Sequence, residues 1–76
     1  MENLFSAHIN IEHQSVPYHI VFENEKYVFI PDHVNKHLFS FSFKREHDEW
    51  HTDDPLNAEV KGQALEALEK YLLAQH

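Results

Sequence analysis

Apolar and polar residues alternate with a period of two through the first half of the chain, and beyond about residue 45 the spacing becomes helical. In "LFSAHINIE", Phe5, Ala7, Ile9 and Ile11 alternate with Ser6, His8, Asn10 and Glu12. Successive side chains of a strand point to opposite faces, so this is the pattern of a strand buried on one side. "PYHIVFE" continues it with Tyr18, Ile20 and Phe22, and "KYVFIP" adds Tyr27 and Phe29. "LFSFSFK" sets Phe39, Phe41 and Phe43 against Ser40 and Ser42. Strands are predicted over residues 4–12, 17–23, 26–31 and 38–45, with 50–52 as an optional fifth.

The turns offer a consistency test. A two-residue loop at Asn24-Glu25 sets Glu23 opposite Lys26, Phe22 opposite Tyr27 and Ile20 opposite Phe29. A four-residue loop over 13–16 sets Ile11 opposite Tyr18, Ile9 opposite Ile20 and Asn10 opposite His19. Both turns gather the apolar residues on one side. A slip of one residue in either would exchange the faces, so their agreement is informative.

"DDPLNAEVKGQALEALEKYLLAQ" predicts an amphipathic helix over 55–75, with Leu56, Val60, Ala64, Ala67, Leu68, Tyr71 and Leu72 along one face. Asp54 before Pro55 forms a capping pair, and Asn57 is a second candidate cap. Gly62 lies inside the helix at a propensity cost of ~1 kcal/mol, which close approach to the sheet would explain. The fold class is α+β in two layers: an antiparallel meander of four to five strands with one C-terminal helix on its aromatic face.

Composition narrows the chemistry. Seventy-six residues form one domain with a thin core, since a chain this short hides only ~60% of its unfolded surface. A second copy of the chain would add burial, which favours a homo-oligomer. There is no cysteine, which excludes disulfides, thiolate metal sites and thiol nucleophiles. The net charge of −7 opposes binding to nucleic acid and to anionic membranes. "MENLFSAH" lacks the features of an export signal, so the expected location is the cytoplasm. One glycine rules out phosphate-binding loops and the Gly-x-Ser-x-Gly elbow, and no other catalytic constellation emerges. Asp53-Asp54 suits a helix start better than acid–base work. The expectation is a non-enzyme without a cofactor.

Eight histidines remain to be placed. "HDEWH", His47 to His51, is one change from the H-E-x-x-H zinc motif, but that motif works only on a helix. On a strand the same spacing separates the two by ~13 Å. A hairpin bend near His47-Asp48-Glu49 is the simpler reading, with Trp50 returning beside Arg45 and stacking on its guanidinium. "PDHVNKHL" holds a second pair, His33 and His37, between two strands. These four, with Asp32 or Asp48, make a zinc, nickel or copper site the alternative reading. His8, Asn10, His19, Val21, Val28 and Ile30 fall on the outer face of the sheet. A face mixing histidine with β-branched residues is the candidate contact surface for a protein partner, including a second copy. Burial of His8 and His19 there would make association sensitive to pH near ~6.

Overall fold

Three of the four connections between strands are turns of two residues, which set each joined pair antiparallel. A computed structural model describes residues 2–33 and 38–75. The elements are β1 (Glu2–Ile11), β2 (Gln14–Glu23), β3 (Lys26–Pro31), β4 (Phe41–Glu46), β5 (Glu49–His51) and α1 (Ala58–Ala74). The strands pair in sequence order, each antiparallel to the next, and the helix follows: an α+β fold. Glu12-His13, Asn24-Glu25 and His47-Asp48 all have positive φ, from 50° to 67°. Positive φ at both central residues marks the turn whose twist matches that of the flanking strands.

The second turn and its register agree with the sequence pattern: Ile20 faces Phe29, Phe22 faces Tyr27 and Glu23 faces Lys26. The first turn is tighter than the four-residue loop expected from residues 13–16. Ile11 pairs with Gln14, Ile9 with Val16 and Ala7 with Tyr18. Asn10 therefore lies opposite Ser15, and the partner of His19 is Ser6. Glu12 and His13 lack the glycine or asparagine that signals such a turn, which is why the pattern suggests a longer one. In both registers odd residues of β1 meet even residues of β2, so the correction moves partners without exchanging faces.

The inward face is largely aromatic. Phe29 and Phe41 stack with centroids 4.9 Å apart, Tyr18 tilts against Phe41 at 5.4 Å, and Phe43 meets Phe41 edge-on at 6.0 Å. Such pairs contribute about 0.5–1.5 kcal/mol each beyond the area they bury. Tyr18, Ile20, Phe29 and Phe43 are fully buried, and Val60, Ala64 and Leu68 of α1 close over them. The Tyr18 hydroxyl donates to the Phe39 carbonyl at 3.2 Å, so the buried phenol has a partner. Burial raises its pKa. Phe22, expected beneath the helix, is 41% exposed and leans on Tyr27 at the far end of the hairpin. Leu38, Phe39 and Ser40 precede β4, which starts later than the alternation suggests.

The helix begins at Ala58, and its cap is Asn57, whose side chain accepts from the Val60 N–H at 2.8 Å. Asp54 is engaged elsewhere. Its carboxylate accepts from the Ser42 N–H at 2.8 Å, a group that β4 presents beyond the end of its ladder with β5. A buried amide without a partner costs ~1–3 kcal/mol, which exceeds the worth of a second cap.

Gly62 does not mark close approach of the helix to the sheet. A Cβ there would meet nothing within 4 Å, and the residue is exposed. Gly62→Ala is therefore expected to raise the unfolding free energy by about 1 kcal/mol. His13→Gly should add up to roughly 1 kcal/mol by relieving a left-handed residue. Urea denaturation midpoints check both, and a lower midpoint for Gly62→Ala would reveal a contact at that position.

Candidate interaction surface

β1 is an outer strand of the sheet, and its backbone shows which groups are open. His8 pairs with Pro17, which has no N–H and whose carbonyl accepts from the Asp32 N–H at 3.0 Å. His8 therefore makes no ladder bond with β2, and its own N–H and C=O point away from the sheet. Pairs alternate between bonded and non-bonded along an antiparallel ladder, so Ser6 and Asn10 also face outward. Asn10 is already taken. Its N–H donates to Gln63 Oε1 at 2.8 Å, and its carbonyl accepts from Gln63 Nε2 at 3.0 Å. The amide of Gln63 thus occupies the position of a peptide group on a neighbouring strand. At the other end the register shifts between Asn3 and Phe5, a bulge that ends the regular edge.

Between these limits lies a groove of about 480 Å³, bounded by Phe5, Ser6 and Ala7 on the strand and by Gln63, Glu66, Ala67, Lys70 and Tyr71 on α1. Phe5 and Tyr71 stack at 4.6 Å, nearly parallel, and form its end wall. The depression exists because Ala7 and Ala67 are small where their neighbours are large. Gln63 escaped the sequence reading, because an amide on a helix flank carries no pattern of its own; Ala7 and Ala67 were legible only as members of the apolar faces, not as the walls of a groove.

On the outer face the structure brings the predicted residues together in part. Val21 lies opposite Val28, and His19 opposite Ile30. Val21 is only 2% exposed although it faces away from the helix; Val28 and Ile30 are half-buried. His8 and Asn10 are exposed at the β1 side, opposite Pro17 and Ser15. His19 Nδ1 sits 2.7 Å from Asp32 Oδ1, which anchors the chain as it leaves β3.

The other histidines do not share a site in the arrangement that a zinc helix requires. His47 is in the β4–β5 turn and His51 is on β5, opposite Lys44. His51 borders a polar depression of about 300 Å³ with Lys26 and Lys44 as well as Glu46 and Asp53, so charge there is mixed. His33 is exposed after β3, and His37 lies outside the described residues. Among the described residues, no group of three or more potential ligands is placed to hold a metal ion.

Trp50 returns beside Arg45 as the alternation implies. The Arg45 guanidinium carbon lies 4.8 Å from the ring centroid. Both side chains reach across to the helix: Trp50 Nε1 donates to Glu69 Oε1 at 2.8 Å, and Arg45 donates to the same oxygen at 3.1 Å. These hydrogen bonds, from Trp50 first and then from Arg45, lower the pKa of Glu69.

An α+β meander with an open strand edge is thus the class that the structure defines. Comparison with known protein families, curated proteins and solved structures yields no significant match.

The Glu69 tether has a pH signature. Its depressed folded-state pKa means that its contribution to stability is present above the ordinary value of 4.5 and is lost as pH falls through the folded value. Trp50 is the sole tryptophan, so its emission reports the loss directly. A reversible spectral change below pH ~4.5 is expected in the parent protein and should vanish in Glu69→Gln, which cannot titrate. An identical change in that variant would assign it to another carboxyl.

Proposed function

We propose that this protein is a non-catalytic interaction module that binds protein through the open edge of β1 and the adjoining outer face, with a second copy of itself as a partner. The observation that carries this reading is the backbone of Ser6 and His8, which projects outward beside a groove. Unpaired strand edges are templates for another strand, and proteins that do not use them usually block them with proline, charge or a covering segment. Among the described residues the block covers Asn10, through Gln63. The groove walls supply places for alternate side chains of an added strand, which is how edge-pairing modules gain selectivity.

The outer face supports the same reading. Half-buried Val28 and Ile30 bring β-branched surface beside His19 on that face, which adds apolar ground for a partner, while Val21 is already covered. The size of the chain also favours association, because its core is small and a contact adds burial.

Light scattering coupled to size exclusion tests the proposal. A mass near twice 9.1 kDa at high micromolar concentration, falling on dilution, is the expected result. A single 9.1 kDa species at every concentration would remove self-association from the reading.

A further inference from the structure

We infer that the β1 edge is a homodimer interface in which two copies join antiparallel about a two-fold axis beside Ala7, making one continuous sheet across both. This rests on the self-association reading above and specifies its geometry. The open backbone positions are Ser6 and His8, bounded by the bulge at Leu4 on one side and by Gln63 on Asn10 at the other. That window is symmetric about Ala7. In an antiparallel two-fold pairing, Ser6 meets the partner's His8, and His8 meets the partner's Ser6. The two facing pairs form about four backbone hydrogen bonds, two for each pair, and leave none of the window's groups unused. Ala7 then meets its own copy in a non-bonded pair, where inward side chains approach most closely. It is the one small residue in the inward series Phe5, Ala7, Ile9 and Ile11.

The helix agrees with this axis. α1 runs antiparallel to β1, since Gln63 reaches Asn10 and Tyr71 stacks on Phe5. Ala67 borders the groove with Ala7, at the level where the axis passes. Two helices related by that axis lie side by side and opposed. Glu66 and Lys70, paired at 3.3 Å within one chain, stand on either side of the axis, so each faces its opposite charge in the partner. They are the charged residues that line the groove, and they cancel. On a chain of net charge −7, this locally neutral surface can meet its own copy without like-charge repulsion.

His8→Pro tests the ladder. It removes an outward N–H that bonds to no other strand, and proline is tolerated on edges of this kind. The expected result is a dimer for the parent protein and a monomer for His8→Pro, with the circular dichroism of the fold retained. Glu66→Lys and Lys70→Glu test the same axis on the exposed helix flank, where folding is not at stake. Each alone should weaken the dimer by about tenfold, because two pairs become repulsive. An equimolar mixture of the two variants should form a heterodimer. If the parent and His8→Pro are both dimeric and Val28→Lys is monomeric, the outer face is the contact; the edge inference fails while self-association stands. A parent protein that is monomeric throughout overturns both. If His8→Pro does not fold, failure of the two charge variants to form a heterodimer overturns the axis.

Discussion

One helix has to shelter the inward side of five strands, and the remaining features follow from that mismatch. A helix is ~10 Å across with its side chains, whereas five strands spaced ~4.8 Å apart span roughly twice that width if they lie flat. The sheet meets the demand by curling until both of its flanks reach the same helix. Gln63 touches β1 at Asn10, while Glu69 receives hydrogen bonds from Arg45 on β4 and Trp50 on β5. Large rings fill the space inside the curl. Phe41 meets Tyr18, Phe29 and Phe43, which ties β2, β3 and β4 together before the helix adds Val60, Ala64 and Leu68. Beside the last turn of the helix burial is incomplete: Phe22, at the end of the β2–β3 hairpin, borders an open depression with Tyr71 and Leu72 and stays 41% exposed.

Curling also leaves ladder positions without a strand partner, and side chains from the last part of the chain take up two of them. Asp54 accepts from Ser42 where β5 has peeled away, and Gln63 completes Asn10 on β1. Each replaces a missing strand with a single polar group. These contacts stabilise the ends of the ladder but cover little of its length. Among the described residues, no side chain closes the stretch that holds Ser6 and His8, which is where the functional reading of the molecule centres.

Much of the fold is legible because the alternation is strict. Ile9, Ile20, Phe29, Phe41 and Phe43 point inward and are buried, as the period of two requires. Arg45 beside Trp50 is equally legible, because a bend at His47-Asp48 leaves no other partner. The first hairpin is less so. Its turn residues, Glu12 and His13, occupy left-handed positions without glycine, so the local signal pointed to a longer loop and a different partner for each residue of β1. The helix start misleads for another reason: Asp54 has the chemistry of a cap, but its carboxylate is committed to Ser42, a residue remote in sequence.

The sequence by itself determined which side of the first four strands faces inward, that a helix covers that side, and that chemistry resting on thiols or glycine loops is absent. Those properties are periodic or compositional, and neighbouring residues suffice to express them. Only the tertiary structure decided that Gln63 closes one position of β1, that Ala7 and Ala67 leave a groove beside it, and that Glu69 holds Trp50. Each of these depends on two segments far apart in the chain meeting at a distance of a few ångströms. No local pattern encodes that meeting, because curvature of the whole sheet sets where the helix lies.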